Sequence, residues 1–268
     1  GAWAYRNEMA RYKAQLLPLA AVALLGGLLG GGLLLALKEK RPGRNDFTSL
    51  ALVALGCVVA FPLFTALALQ HITSAHSMVF IGALPLTTAV FAVLRGGDRP
   101  RPAFWVFSLL GCALVSGYAL RQDMHVAPVG DVLMLVAIVT CGLGYAEGAR
   151  LSGHLGGWQV ISWALVLSLP VTGPLTWLMA PSTFEGVHAP AWWGLMYVSL
   201  FSMLIGFVFW YRGLAQGGVA SVSQLQLLQP FFGLAWAAML LGEQVTWMMQ
   251  ITALAVIFCV AGARKFGR

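Results

Sequence analysis

Apolar residues occupy long windows of this chain, and short polar segments separate them. A helix of about 20 apolar residues crosses roughly 30 Å of hydrocarbon, and a window of about 18 residues suffices. The predicted spans are residues 14–37, 48–70, 77–95, 103–121, 131–150, 157–179, 190–212, 219–241 and 246–263. The connections are too short to hold an inserted soluble domain. The pattern predicts an all-α polytopic membrane protein with nine visible spans.

Composition supports the lipid bilayer as the solvent of this chain. Hydrophobic residues make up 59% of it and charged residues 9%, whereas roughly a quarter of the residues in soluble domains are charged. The five histidines have no HExxH spacing, and the four cysteines all fall inside predicted spans. There is also no Gly-Lys phosphate loop. We therefore expect no metal, no cofactor and no enzymatic activity.

The Lys and Arg residues indicate an orientation in the membrane. One set of alternate loops, together with the C-terminus, carries 12 of them, and the other set with the N-terminus carries 4. Basic residues collect on the cytoplasmic side of membrane proteins. We expect a cytoplasmic C-terminus in the cell (inner) membrane. The net charge of +7 follows from this asymmetry, so no nucleic-acid partner is expected.

A weak internal repeat relates two parts of the chain at a separation of 145 residues. The matched pairs include Pro85/Pro230, Ala92/Ala237, Gly97/Gly242 and Asp98/Glu243. Internal repeats in an apolar chain are typical of secondary transporters. We therefore divide the chain into a first repeat, residues 1–121, and a second repeat, residues 128–268.

The repeat also makes a prediction about the start of the chain. The second copy opens with the span at residues 131–150, whose partner would begin 15 residues before Gly1. Residues 1–13 are then expected to be the tail of a first helix and a short external loop. Alternatively, the protein has nine spans and an atypical start. Five spans per copy would invert the second copy in the bilayer.

Several motifs resemble one transporter group. They are Pro-x11-Gly-Asp/Glu in each half, GDVLMLVAIVTCGLGYA at residues 130–146 and FWYRGLAQGGVASVSQLQLLQPFFGLAWAAMLLGE at residues 209–243. The chain resembles the drug/metabolite transporter superfamily, EamA type, and the last motif is similar to YddG-type exporters of aromatic amino acids. The chain departs from this pattern at Asp98, where Glu is usual, and in lacking the first helix.

The resemblance implies ten helices in two inverted five-helix halves around a central cavity, with both termini cytoplasmic. It implies a secondary transporter that exports small organic metabolites such as amino acids, by alternating access. Two alternatives stay open, a broad drug or cation exporter and a component of a lipid-linked sugar flippase. The expected partners are a small-molecule substrate and the bilayer, and we expect a monomer.

Candidate pathway residues lie first around the two prolines of the repeat. A proline bends a helix and frees a carbonyl about one turn earlier, and in lipid that carbonyl needs protein or water. At about 100° per residue, Ser223, Gln226 and Pro230 share a stripe, with Gln229 on its shoulder. Pro85 is the equivalent in the first half. The alternatives are a structural kink for the prolines and hydrogen bonds between helices for the glutamines.

The remaining candidate residues for the pathway and its gate are aromatic or charged. The rings of Tyr145, Trp163 and Trp210 could stack on an organic solute, although packing or an interfacial position is the alternative for each. Glu147 lies well inside a predicted span and can reach Arg150 at i,i+3. We expect this pair to act as a local ion pair or gate, with a proton-binding site as the alternative.

Overall fold

The chain is built from helices in succession. The computed structural model describes residues 2–121, 127–181, 187–241 and 247–267, and every regular element within them is helical. The α-helices are α1 (Ala2–Ala36), α2 (Arg44–Val53), α3 (Phe61–Ala68), α4 (Ser74–Phe91), α5 (Pro102–Leu120), α6 (Pro128–Ser152), α7 (Gly157–Met179), α8 (Ala189–Tyr197), α9 (Phe207–Gly217), α10 (Val219–Ser223), α11 (Gln229–Leu241) and α12 (Trp247–Phe266). Three π-helical segments, Ala54–Ala60, Ala92–Gly96 and Val198–Gly206, and one 3₁₀ segment, Gln224–Leu228, lie between them.

Eight helical stretches in the described residues are long and apolar enough to cross a membrane. They correspond to eight of the nine predicted spans, which confirms the all-α polytopic membrane class. The ninth predicted span, residues 219–241, is helical but is divided into α10, the 3₁₀ segment and α11. Pro230 is the second residue of α11, two positions after the 3₁₀ segment ends, and a proline ring prevents the normal i to i−4 hydrogen bond there.

The start of the chain differs from the expectation. Helix α1 continues without a break from Ala2 to Ala36, so the loop predicted within residues 1–13 is wrong. Those residues include Ala, Met, Arg, Lys and Glu, which favour helix. The internal repeat had indicated a loop there, but helix propensity allows the apolar helix to continue into these residues.

The repeat in the sequence recurs in the positions of the helices. Helix α2 begins at Arg44 and α8 at Ala189, while α4 begins at Ser74 and α10 at Val219, so both pairs of starts are 145 residues apart. The π-helical segments at Ala54–Ala60 and Val198–Gly206 also coincide at this separation. Of the matched sequence pairs, Gly242 and Glu243 lie outside the described residues.

Helices that the repeat makes equivalent also pack on each other. Extensive contacts join α1 to α7, α5 to α12 and α4 to α10. The α1–α7 contact is close because α1 presents glycines to α7. A Cβ on Gly27 would lie 2.9 Å from the carbonyl oxygen of Leu165, and one on Gly30 would lie 3.1 Å from Cα of Ser162. Small residues let membrane helices approach in this way.

Candidate functional site

Helices α4 and α6 form an interface between the two predicted repeats, and a polar contact closes each end of it. At one end, Nε2 of His76 lies 2.9 Å from Oδ1 of Asp131. At the other end, Nε of Arg95 lies 2.6 Å from Oε1 of Glu147. With a rise of about 1.5 Å per residue, the 16 residues from Asp131 to Glu147 place these closures about 24 Å apart along α6.

The polar contact at the Glu147 end belongs to a cluster of four side chains, which we call the ion cluster. Its members are Ser49, Arg95, Glu147 and Arg150. Arg150 donates to Oε2 of Glu147 from Nη2 at 2.8 Å and from Nε at 3.2 Å, and it donates from Nη2 to Oγ of Ser49 at 2.5 Å. The side chain of Glu147 is 0% exposed, whereas those of Arg95 and Arg150 are 48% and 45% exposed. The cluster therefore joins α2, α6 and the π-helical segment after α4 through charge-assisted hydrogen bonds.

We call the end of the bundle that holds the ion cluster the basic end. Helix α6 passes from Asp131 to the ion cluster, and the loop that follows it brings His154 to Asp46, with Nε2 and Oδ1 3.1 Å apart. The backbone N–H of Arg101 donates to the carbonyl of Phe266 at 3.0 Å. These contacts place the basic loops and the C-terminal helix at one end.

Tyr145 lies on α6 two residues before Glu147 and is surrounded by aromatic rings. Its centroid is 5.6 Å from that of Trp210, 6.1 Å from Phe207 and 6.5 Å from Tyr211. We call these four residues the ring cluster. Three of its members come from α9, which packs on α6, and offset or edge-to-face contacts at such distances are favourable.

Glycine at position 148 makes room for the ring cluster. A Cβ on Gly148 would lie 2.1 Å from Cε1 and 2.4 Å from Cζ of Tyr211. The hydroxyl of Tyr211 reaches Sγ of Cys57 at 3.4 Å and the carbonyl of Gly144 at 3.5 Å. Tyr211 is completely buried, so its ring is held between α6 and the π-helical segment Ala54–Ala60.

Polar groups of the second repeat meet the ring cluster. The side-chain amide of Gln226 is within hydrogen-bonding reach of the Tyr145 hydroxyl. Among the described residues, Nε1 of Trp210 and Oε1 of Gln226 are buried without a hydrogen-bond partner. An unpaired indole donor and an unpaired amide acceptor can both serve a bound solute. Three predicted pathway residues, Tyr145, Trp210 and Gln226, are therefore brought together.

Pro85 contacts the second repeat through its carbonyl oxygen. The hydroxyl of Ser223 and Nε2 of Gln224 both reach this oxygen at 3.4 Å. Pro85 is buried, and Gln224 is completely buried, although the sequence stripe omitted Gln224. Residues advance by about 120° in a 3₁₀ helix rather than 100°, so the 3₁₀ segment places Gln224 on a face that a uniform helix does not predict.

The remaining predicted pathway residues lie outside the ring cluster. Gln229 is exposed at the start of α11, and Pro230 beside it is half-buried. Trp163 is half-buried on α7 and packs against the main apolar core. For these three residues a role in binding stays a prediction.

Sequence reasoning missed several polar contacts of this interface. Arg95 was used only to orient the chain, and Ser49, His76 and Asp131 were not selected. Arg95 lies 52 positions from its partner Glu147, and Ser49 lies 101 positions from its partner Arg150. No local spacing could therefore have identified these contacts. Only the i,i+3 relation of Glu147 and Arg150 was visible in advance.

The described residues contain no group of three or more His, Cys, Asp or Glu side chains that is arranged to hold a metal ion. The unpaired buried polar groups near Tyr145 are an amide oxygen and an indole N–H, which suit hydrogen bonding to an organic solute.

Three known proteins have sequences similar to that of this chain. An uncharacterized transporter, YdeK, of Bacillus subtilis (strain 168) is 61% identical over 246 residues, which cover 92% of this chain and 86% of YdeK. An uncharacterized transporter of Archaeoglobus fulgidus is 24% identical over 83% of this chain and 76% of its own length. A chloroplastic WAT1-related protein of Arabidopsis thaliana is also 24% identical, over 87% of this chain and 60% of that protein.

A solved crystal structure has the same fold. It superposes with a TM-score of 0.78 at 17% sequence identity, and the match covers 93% of this chain and 88% of the other. The model of the EamA-like transporter family matches twice, at residues 3–117 and 128–264. With the helical bundle and these matches, the chain belongs to the EamA-like transporter family of the drug/metabolite transporter superfamily.

Proposed function

We propose that this chain is a secondary transporter that exports a small organic metabolite, and that amino acids are the first class to test. We also propose that it works in the cell (inner) membrane with the C-terminus in the cytoplasm. The membership in a transporter family supports transport itself. The distribution of Lys and Arg supports the orientation.

One observation carries the proposal. The unpaired donor of Trp210 and the unpaired acceptor of Gln226 meet at Tyr145, on an interface between the predicted repeats that is closed at both ends. A transporter requires a binding site that can be reached from either side, but not from both at once. A binding site that lies between two closures, each able to open separately, would meet this requirement.

The proposed mechanism uses the two closures alternately. Opening towards the basic end separates Arg95 from Glu147, whereas opening towards the other end separates His76 from Asp131. The two repeats would be inverted copies, because the repeat is 145 residues long and each copy would contribute five spans. Two packings of similar free energy, related by exchange of the copies, then give inward-open and outward-open states.

The chemistry of the ring cluster suits an amphipathic metabolite. Aromatic rings, one N–H donor and one amide oxygen fit a solute with both polar and apolar parts. Ring faces can also hold the ammonium of an amino acid. The carboxylate of Glu147 is already paired with Arg95 and Arg150.

Transport by purified protein in proteoliposomes tests the proposal. Efflux and uptake of a panel of labelled amino acids, measured with and without a pH gradient, should reveal at least one substrate that moves faster than in protein-free vesicles. The Gln226→Leu variant should lower the transport rate of that substrate severalfold, because it removes the acceptor near Tyr145. If no amino acid moves, the proposed substrate class is wrong.

A matched variant separates a binding effect from a general loss of stability. Gln250→Leu makes the same change on α12, at an exposed position outside the ring cluster. We expect it to transport at a rate near that of the wild type. Equal rates in both variants and the wild type would remove Gln226 from the site, and equal losses in both would indicate a structural effect.

A further inference from the structure

A cavity lies at the basic end of the bundle, and no residue of the ring cluster lines it. It has a volume of about 470 Å³ and lies between the end of α6, the start of α7 and α9. Sites for small ligands are commonly about 300–1,000 Å³. The polar side chains that line it are Ser152, Gln159, Arg212 and Gln216, and the indole of Trp158 forms part of its wall.

No acidic side chain among the described residues forms an ion pair with the positive charge in the cavity, which is the guanidinium of Arg212. The nearby loop between α1 and α2 reaches the cavity, because Nε2 of Gln159 lies 3.4 Å from Oε1 of Glu39. That loop contributes one acidic residue, Glu39, against three exposed basic residues, Lys38, Lys40 and Arg41. The surroundings are therefore positive on balance.

Neutral hydrogen-bonding groups accompany the positive charge. Oε1 of Gln159 is buried without a hydrogen-bond partner among the described residues, so the cavity contains an unpaired acceptor as well as the donors of Arg212. A guanidinium donates two parallel hydrogen bonds to a phosphate, and an unpaired acceptor suits a hydroxyl on the same ligand. A sugar phosphate or the headgroup of phosphatidylglycerol carries both groups.

The backbone at the start of α7 adds to this arrangement. Gly156 precedes the helix with φ of 94°, and no side chain caps the helix N-terminus. Gly156 and Gly157 both line the cavity, so the backbone is accessible to a ligand there. The positive end of the helix dipole stabilises an anion at such a position.

We propose that this cavity binds a phosphoryl group, with Arg212 as its main charged contact. The phosphoryl group would belong either to the headgroup of an anionic lipid or to a soluble phosphate compound. Binding there would stabilise the packing of α6, α7 and α9, because the ligand would contact all three helices. The site is distinct from the proposed transport site and does not depend on the transported solute.

Thermal unfolding of the full chain tests this proposal. In phosphatidylcholine nanodiscs, inorganic phosphate should raise the midpoint of unfolding of the wild type above its value in sodium chloride of equal ionic strength. Arg212→Gln should lose this increase, whereas Arg264→Gln should keep it, because Arg264 is an exposed residue at the same end that does not line the cavity. An equal increase in all three proteins, or none in the wild type, would overturn the proposal.

A second arm identifies the source of the phosphoryl group. If the site takes a lipid headgroup, nanodiscs with phosphatidylglycerol should stabilise the wild type over Arg212→Gln without added phosphate, and added phosphate should then have little effect. If the site takes a soluble phosphate compound, the response to phosphate should be equal in both lipids. Should Arg212→Gln fail to fold, Gln216→Ala and Arg212→Lys provide the same comparison with smaller changes.

Discussion

The position of the Tyr211 ring leads to a prediction about Gly148. Replacing Gly148 with alanine adds one methyl group, whose carbon would lie 2.1 Å from Cε1 of Tyr211, where ordinary contacts begin at about 3.4 Å. The ring is completely buried and cannot turn into solvent, so neighbouring helices must shift. Overpacking of this kind costs about 1–3 kcal/mol.

A second glycine provides the reference for this effect. Gly117 lies within α5, and a Cβ there meets no described atom within 4 Å. Alanine is favoured over glycine in a helix by about 1 kcal/mol, and this gain applies to both variants. The free energies of unfolding of Gly148→Ala and Gly117→Ala should therefore differ by the cost of overpacking alone, about 1–3 kcal/mol.

Unfolding in a titration of denaturing detergent measures this difference. The ring can also be removed, because Gly148→Ala added to Tyr211→Ala should cost much less than Gly148→Ala in the wild type. Such a double-mutant cycle isolates the coupling between the two positions. If Gly148→Ala is as stable as Gly117→Ala, or if the cycle shows no coupling, then α6 and α9 are not packed as described.

Two further predictions concern contacts between the repeats and are measured by the same unfolding titration. Glu147→Gln should lower the free energy of unfolding by about 1–3 kcal/mol, between the values for exposed and buried ion pairs. The reason is that the carboxylate is buried while both arginines are about half exposed. A loss no larger than that of Glu39→Gln would contradict this prediction. Asp98→Ala should cost about 1 kcal/mol, because Oδ2 of Asp98 accepts a hydrogen bond from the backbone N–H of Ala220 at 3.0 Å at the start of α10. Asp98→Asn should retain the cap, so an equal loss in both variants would argue against capping.

The sequence predicted part of the candidate site for local reasons. Glu147 and Arg150 were paired because residues at i,i+3 are neighbours on any helix. Tyr145 and Trp210 were selected as rings inside or at the end of spans, and the structure places them 5.6 Å apart. Gln226 was selected from a helical stripe and does meet Tyr145. Gln224 was omitted because a uniform helix cannot anticipate a 3₁₀ segment.

The sequence by itself determined the class of protein and the position of most helices. Long apolar windows must be helical in lipid, because a helix satisfies its own backbone hydrogen bonds. Tertiary structure alone decided which side chains meet across the repeats, such as Arg95 with Glu147 and His76 with Asp131. Those contacts join residues far apart in the chain, and their formation depends on how the helices pack against one another, which periodicity along a single helix does not encode.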